Sequence, residues 1–391
     1  MYSMELTREQ NYEIIRKIME SEGGMSEVLK MCLEILMKSE RALHNEMYSD
    51  LSNGFRPRKL ATHGKILELK VPRTRFNSFY PVILAILKEE EEEYKKLAFQ
   101  LYSAGLTTDQ IGDIFETVYG KNYSTSQVSR MFNHARDEVE EWRNRPLDNY
   151  YPICYIDATY VPTRRVDSVS KEAYFTVLGV KKDRTREVLG VYNNPTEGAS
   201  IWEDIFEDIE SRGVNEIGLI VSDGLRGIEN TIHKHYPGTD VQLCTVHLIR
   251  ESLKYAKTKH KKEMATDLKE VFQTNDSSDT QERGIQRWEE FCNKWGKYYS
   301  NFKSKAKNDR YRLYFTYLNY DYRIRSMIKS TNWIERLNRD YKRTTRMRGA
   351  LPNPEAALLL LGSVAMTRKA YSRVVPNIGY ERDKFRWDEK Y

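Results

Sequence analysis

The chain has 391 residues, of which 40% are hydrophobic, so it is long enough to bury a core in about two or three domains. It carries 63 Lys and Arg against 57 Asp and Glu, and the net charge of +6 is too small to identify a nucleic-acid-binding protein by itself. Four scattered cysteines without a Cys-x-x-Cys pair argue against a disulfide framework and favour a reducing, cytoplasmic location.

Residues 1–53 predict an N-terminal helical region. Apolar residues recur there at helical spacing on one face, namely Met25, Val28, Leu29, Cys32, Leu33, Leu36 and Leu43. Such a face either packs on its own domain or serves dimerisation or DNA-end binding, and packing is the simpler interpretation.

Residues 54–87 change character and predict a basic strand and loop arm. The stretch GKILELKV alternates like a strand, with Glu68 as the acid among many cations. The candidate DNA contacts are Arg56, Arg58, Lys59, Arg73 and Arg75. A solvated basic loop is the alternative to an arm that contacts phosphates.

Residues 88–145 predict a helix-turn-helix DNA-binding domain. One helix ends near Gly105, Thr107 or Thr108 caps the next, and Ser124 or Thr125 caps a third. Gln127 and Arg130 then face outward, where they could contact DNA in a major groove. Trihelical cores without a DNA-binding role are the alternative.

Residues 146–250 predict the first part of an α/β core. Strands are expected at 151–159, 173–180, 187–192, 217–222 and 241–244, with helices at about 199–212 and 225–235 and another helix after the last strand. Three strands joined by short turns, then two reached through helices, predict a mixed five-stranded sheet in the ribonuclease H-like order.

Residues 251–325 predict an all-helical insertion, and residues 326–391 the last part of the core with C-terminal helices. Most of the aromatic residues that recur there at helical spacing are predicted to form the core of the insertion, namely Trp288, Phe291, Trp295, Tyr298 and Phe302. The longest apolar stretch, residues 356–366, is shorter than the ~20 residues of a membrane-spanning helix, so no membrane association is expected.

Two aspartates stand where a metal site is expected. Asp157 lies within a strand of mostly apolar and aromatic residues, where a carboxylate is costly unless it is paired or bound to metal. Asp223 follows the apolar stretch IGLIVS, at the carboxyl end of a strand, where sites form in α/β sheets. If the first and fourth core strands are neighbours, the two carboxylates lie side by side. A turn or cap role is the alternative for each aspartate alone.

Glu335 is the candidate third acid. It lies on a predicted helix, capped by Thr331 or Asn332, that also carries a basic stripe. The stripe consists of Arg336, Arg339, Arg343 and Arg346, spaced 3, 4 and 3 residues apart. A lone acid beside such a stripe suits a helix that follows a DNA backbone and holds a metal ion, whereas a salt-bridged surface helix is the alternative. Asp340 is a weaker candidate ligand.

Cys244 and His247 form a smaller constellation directly after the fifth core strand. Two ligands do not make a zinc site, so a buried cysteine and a satisfied histidine are the simplest interpretation. A histidine that contacts the scissile phosphate or positions a metal ligand is the functional alternative.

Several motifs together resemble the Mutator-like family of bacterial insertion-sequence transposases. They are YIDATYVPTRR, VSDGLRG, QLCTVHLIR and TNWIERLNRDYKRTTRMRG, in this order, with PRTRFNSFYP and GLTTDQI upstream. The resemblance covers nearly the whole chain, and the combination is more specific than any one acid.

The resemblance implies an Asp-Asp-Glu catalytic triad at Asp157, Asp223 and Glu335, with two Mg2+ (or Mn2+) ions per active site. It also implies a Cys-x-x-His motif at Cys244 and His247. The expected partners are double-stranded DNA, as terminal inverted repeats and as target, and a second copy of the chain in a homodimer. The implied pathway is copy-out through a circular intermediate and then insertion, with nucleoid association when bound to DNA.

Two other functions remain open on the sequence. A ribonuclease H-like nuclease or resolvase would share the metal chemistry without strand transfer. A catalytically silent DNA-binding regulator would keep the arm and the helix-turn-helix while making no use of the acids.

Overall fold

The computed structural model describes residues 7–9, 12, 16, 25–62, 65–76, 78–119, 123–166, 168–194, 199–224, 227–306, 308–346, 348–376 and 384–385. The chain divides into two compact units between Ala135 and Arg136.

The N-terminal unit begins with a helix packed on a two-stranded hairpin. Helix α1 (Met25–Tyr48) lies against strand β2 (Lys65–Thr74), which pairs antiparallel with β1 (Ser52–Thr62). The apolar residues of β2 alternate with polar ones, so one face of the strand is buried. The core residues are Leu33, Met37, Leu67, Leu69, Val71 and Leu84.

This region differs from the sequence prediction at two points. Strand β1 was not predicted, because Gly54, Pro57 and several cations give SNGFRPRKLAT little strand propensity. The hydrogen bonds to β2 hold these residues in a strand although their own strand propensity is low. Leu43, expected on the packed face of α1, is 48% exposed instead.

Three more helices complete the N-terminal unit as the structure describes it, and they pack on one another. They are α2 (Val82–Ser103), α3 (Thr108–Tyr119) and α4 (Thr125–Met131). Helix α2 ends before Gly105, whose φ of 113° suits only glycine well. Their shared core includes the buried residues Ala98, Tyr102, Ile111, Phe115, Val128 and Phe132.

The second unit is built on a mixed five-stranded sheet, as predicted. After α5 (Asn133–Asn144) come β3 (Tyr150–Arg164), β4 (Val169–Val180), β5 (Arg186–Asn194), α6 (Ala199–Ser211), β6 (Glu216–Ser222), α7 (Ile228–His235), β7 (Asp240–Leu243) and α8 (Thr245–Lys254). The strand order is β5-β4-β3-β6-β7. The first three strands pair antiparallel, and β6 and β7 join in parallel. The predicted order of strands and helices is therefore confirmed.

Helices cover both faces of this sheet. Helices α13 (Asn332–Arg346) and α14 (Pro354–Met366) pack against β3, where Tyr155 stacks on Trp333 of α13. Phe175 of β4 contacts Trp202 of α6. In the register of β3 and β4, Phe175 pairs with Ala158, which points to the face opposite Tyr155. The sheet therefore lies between α6 on one side and α13 on the other.

A helical segment follows α8, consisting of α9 (Thr258–Val271), α10 (Gln281–Trp295), α11 (Asn301–Lys305), 3-10 turns at Asp309–Tyr314 and Thr316–Asn319, and α12 (Tyr322–Ile328). Four of the five predicted aromatic core residues are buried, namely Trp288, Phe291, Trp295 and Phe302. The prediction that most of them form the core is therefore confirmed, and Tyr298, which lies past the end of α10, is 64% exposed.

The apolar stretch at residues 356–366 forms most of α14, a largely buried helix. Across the described ranges, no helix combines the length and the apolar character that spanning a bilayer requires.

Candidate active site

Asp157 lies in the middle of β3 and is only 8% exposed. Its Oδ1 accepts a hydrogen bond from the Ala158 N–H at 2.9 Å, and its Oδ2 accepts one from Asn338 Nδ2 at 2.9 Å. Burial, followed by the nearby charge of Asp223, raises the pKa of Asp157 to about 7. Such a carboxylate gains stability from any positive charge placed beside it.

Asp223 directly follows β6, the parallel neighbour of β3. Tyr155 pairs with Val221 in the register of these strands, so two residues further on Asp223 comes level with Asp157. Neighbouring strands lie about 4.8 Å apart, which explains why the charge of Asp223 raises the pKa of Asp157. The predicted adjacency of the first and fourth core strands is confirmed, and it brings the two aspartates to one edge.

Glu335 lies in the first turn of α13 and turns toward α8. Its Oε1 accepts a hydrogen bond from Arg250 Nη1 at 2.9 Å, and its Oε2 accepts one from Nη2 at 3.3 Å. The Nε2 atom of His247 lies 3.6 Å from Glu335 Oε1. Glu335 is close enough to Asp157 to contribute to its raised pKa, although less than Asp223 does. The three predicted acids therefore lie in one region, with the third held by an arginine.

Cys244 and His247 border the same region from the start of α8. The fully buried Cys244 sulfur accepts hydrogen bonds from the Thr331 N–H at 3.4 Å and from Thr331 Oγ1 at 3.3 Å. Interaction with Cys244 raises the pKa of His247 to about 9, and the charges of Asp157 and Asp223 act in the same direction. The raised pKa favours the protonated form of His247 beside the Glu335 carboxylate. Thr331 is one of the two predicted caps of α13, and its hydroxyl donates a hydrogen bond to the Cys244 sulfur.

Two residues of this region were not predicted from the sequence. Asn338 holds Asp157, and Arg250 holds Glu335. Each follows a predicted site residue by one helical turn, since Asn338 is three residues after Glu335 and Arg250 is three residues after His247. That spacing places both on the site-facing side of their helices. Asp340, the weaker candidate ligand, pairs instead with Arg368.

The donor chemistry suits a divalent cation at the two aspartates. Hard ions prefer carboxylate oxygens, and a cation would relieve the repulsion and burial that raise the pKa of Asp157. In the described part of the chain, however, no group of three His, Cys, Asp or Glu side chains is arranged to hold a metal ion. Both oxygens of the Glu335 carboxylate accept hydrogen bonds from Arg250, so a metal ion would compete with Arg250 for this carboxylate.

The predicted DNA contacts occupy three surfaces. Arg336, Arg339, Arg343 and Arg346 are exposed along α13, opposite its buried face. On the hairpin, Arg56, Lys59 and Arg75 are exposed, whereas Arg58 and Arg73 are half-buried. Arg130 of α4 is exposed. Gln127 has a structural task, because its side-chain Oε1 accepts a hydrogen bond from the Ser124 N–H at 2.8 Å and completes the capping box of α4.

Together these features define a mixed α/β protein with an acidic site where the middle of β3 lies beside the end of β6, bordered by a helix with an exposed basic face. Comparison with known proteins names the family. The model of the transposase family called Mutator matches residues 3–373. The chain therefore belongs to the Mutator family of transposases.

Curated relatives support the same assignment. The chain is 31% identical over 351 residues to a probable transposase for an ISRM3-like insertion sequence element of Sinorhizobium fredii, covering 86% of this chain and 85% of the relative. It is 30% identical to the transposase for insertion sequence element IS905 of Lactococcus lactis, covering 78% and 76%. It is 29% identical to the transposase for insertion sequence element IS256 in transposon Tn4001 of Staphylococcus aureus, covering 80% of each chain.

Proposed function

We propose that this protein is an insertion-sequence transposase whose ribonuclease H-like core cuts DNA strands and joins them to new positions. The observation that carries the proposal is the pairing of β3 with β6, which brings Asp157 level with Asp223. Membership in a transposase family implies DNA as the substrate and supports the choice of reaction.

Asp157 and Asp223 would hold divalent Mg2+ or Mn2+, two ions per site, with Glu335 as the third ligand. Bound ions of this kind stabilise the attacking and leaving oxygens of a phosphodiester during in-line displacement. Asn338 keeps one Asp157 oxygen in place through its amide. Arg250 pairs with the Glu335 carboxylate, and a bound cation or a DNA phosphate would compete for one of these two partners.

His247 would act as a cation near the scissile phosphate. Its raised pKa keeps the imidazole protonated near neutral pH, because it lies against Cys244 and the aspartates. A protonated imidazole donates hydrogen bonds to phosphate oxygens and partly offsets the charge of the acids. The buried Cys244 would then serve as the anchor of His247.

Three surfaces would bind the DNA. The stripe of α13 would follow a DNA backbone next to the acids, and the β1–β2 arm would contact phosphates. Helices α3 and α4 would act as a helix-turn-helix that reads the terminal inverted repeats, with Arg130 toward the DNA. A homodimer would hold two element ends, and copy-out followed by insertion into target DNA is the pathway we favour. Since Gln127 is engaged in capping, a base contact would require it to leave Ser124.

The test is a strand-cleavage assay with the full-length protein. Labelled DNA that carries the element ends is incubated with Mg2+ or with EDTA, and the products are separated on a denaturing gel. We expect nicks at the element boundary and longer joined strands, both only with Mg2+. Nicks without joined strands would favour a nuclease or resolvase, and binding without either product would favour a DNA-binding regulator.

A variant pair addresses the third acid. Glu335→Ala should lose both cleavage and joining while it still binds DNA, whereas Glu207→Ala removes an exposed carboxylate of α6 and should retain both activities. Full cleavage by the Glu335→Ala protein would remove Glu335 from the site.

A further inference from the structure

A cavity of about 470 Å³ in the second unit lies outside the acidic site, between β5 and the segment that follows α14. Its lining includes four cations, Arg145, Lys181, Arg186 and Arg368, and one carboxylate, Glu187. Its volume falls within the range of small-molecule pockets. The sequence motifs did not draw attention to these residues.

Arg186 occupies the most distinctive position in this cavity. Its guanidinium lies over the Trp333 ring at 4.2 Å and over the Tyr371 ring at 5.2 Å. Burial, together with the charges of Arg368 and Arg336, lowers the pKa of Arg186. Aromatic stacking fixes the plane of the guanidinium, so its donors are oriented before any ligand arrives.

Three of these cations contact carboxylates. Glu187 accepts a hydrogen bond from Arg145 at 2.8 Å, Asp148 lies 3.4 Å from Lys181, and Asp340 pairs with Arg368. Among the described lining residues, cations still outnumber carboxylates by four to one. A phosphate group placed beside guanidinium groups accepts charge-assisted hydrogen bonds from them.

The cavity lies next to the acidic site and to the basic stripe. Trp333 contacts Arg186 and also stacks on Tyr155, and Tyr155 precedes Asp157 by two residues, or about 7 Å, along β3. Arg336, which influences Arg186, is the first arginine of the exposed stripe on α13. A DNA backbone that follows the stripe toward the acids therefore reaches the cavity.

We propose that this cavity binds a phosphodiester group of the DNA strand that runs along α13, with Arg186 as its central ligand. This proposal rests on the proposed function, because it takes DNA as the substrate. Arg186 is a positioning residue, since it would fix the strand beside the acids without touching the reacting atoms. The shared ligand chemistry is a phosphate group, which free inorganic phosphate also offers.

The test measures DNA binding in EDTA, where no cleavage occurs. Full-length protein is titrated against a labelled duplex of the element end at several salt concentrations. Arg186→Gln should weaken binding by about 5- to 10-fold and reduce the slope of log K against log salt by about 0.9, the value for one lost phosphate contact. Lys269→Ala removes an exposed cation of α9 and should change neither quantity.

Phosphate-ethylation interference locates the contact. Ethylation of one or two phosphates near the cleavage position should block binding by the wild type and lose this effect with Arg186→Gln. Arg186→Lys keeps the charge without the planar fork, so the salt slope should stay while the interference weakens. This second variant, with its Tm measured, covers the case in which Arg186→Gln fails to fold.

Two results would overturn the proposal, and a third would keep the phosphate contact but reject the transposase mechanism. An unchanged salt slope and interference pattern in both variants would overturn the proposal, even if the wild type cleaves and joins DNA. Competition by inorganic phosphate at constant ionic strength, without any ethylation effect, would assign the cavity to a free anion and also overturn it. If Arg186→Gln loses the ethylation effect but the wild type never cleaves DNA, the cavity still binds a DNA phosphate and the transposase mechanism is rejected.

Discussion

Two buried aspartates, Asp157 in the second unit and Asp50 in the N-terminal unit, behave in opposite ways. Asp157 in the second unit is 8% exposed, and burial and Asp223 raise its pKa to about 7. Asp50 in the N-terminal unit is 4% exposed, and although burial opposes the shift, hydrogen bonds lower its pKa to about 2. Burial alone therefore does not distinguish a functional acid from a structural one.

The difference lies in what surrounds each carboxylate. Asp50 accepts hydrogen bonds from Ser78 Oγ at 2.8 Å and from the N–H groups of Leu51 at 2.7 Å and Phe76 at 3.4 Å. Its charge is satisfied by the protein. Asp157 accepts two hydrogen bonds but is repelled by another carboxylate, so the protein stabilises its charge less well than that of Asp50. The contrast predicts that one aspartate serves chemistry and the other serves folding.

The largest expected effect follows from replacing the first aspartate. Asp157→Asn keeps the shape and removes the charge, so Mg2+-dependent cleavage should fall by about 1,000-fold or more, as for other groups that stabilise transition-state charge. The Tm should be no lower than that of the wild type, because a repelled buried charge has been removed. Initial cleavage rates and thermal unfolding measure the two effects.

The matched control is Asp204→Asn, which changes an exposed aspartate of α6. It should leave both the cleavage rate and the Tm unchanged. An Asp157→Asn protein that cleaves at the wild-type rate would show that the contrast between the two aspartates has no functional meaning.

The next effect concerns the residue that positions Asp157. Asn338→Ala removes the amide that donates to Asp157 Oδ2. Loss of a partner that orients a metal ligand typically reduces affinity or activity by about 10- to 100-fold. We expect a reduction of that size in the cleavage rate and a higher Mg2+ concentration at half-maximal rate.

Rescue of Asn338→Ala by excess Mg2+ would separate positioning from a general loss of structure. Asn293→Ala, at an exposed position of α10, is the control and should behave as the wild type. An Asn338→Ala protein with an unchanged Mg2+ dependence would indicate that Asp157 needs no support from α13.

The sequence predicted the part of the site that follows from strand order. Asp157 and Asp223 could be placed together because the strand pattern implies which strands are neighbours. Asn338 and Arg250 could not, because their partners lie 181 and 85 residues away. Packing of α13 on β3 brings Asn338 to Asp157, and contact between α8 and α13 brings Arg250 to Glu335. Strand β1 escaped prediction for the related reason that its order comes from β2.

The exposed cations of the β1–β2 arm differ from both buried aspartates, because water rather than the protein surrounds their charge. Arg56 is exposed on β1, so its replacement should not affect folding. Arg56→Ala should weaken DNA binding by a few-fold and lower the salt slope by about 0.9 if it contacts one phosphate. Lys96→Ala, an exposed cation of α2 outside the arm, is the comparison. Equal effects of the two changes would mean that the arm attracts DNA no more than the rest of the unit does.

The smallest effect, and the sharpest test of the contrast, is the pH dependence of the N-terminal unit. Since the pKa of Asp50 is lower in the folded state, its ionised form stabilises the fold above the unfolded pKa of about 4. That stabilisation should be lost progressively as the pH falls through about 2. Asp50→Asn should therefore lower the Tm of this unit by a few degrees at pH 6 and have less effect near pH 2. Asp113→Asn, at an exposed position of α3, provides the baseline. If Asp50→Asn lowered the Tm equally at both pH values, shape rather than charge would explain why the aspartate is buried there, and the two aspartates would no longer differ in the way their hydrogen bonds indicate.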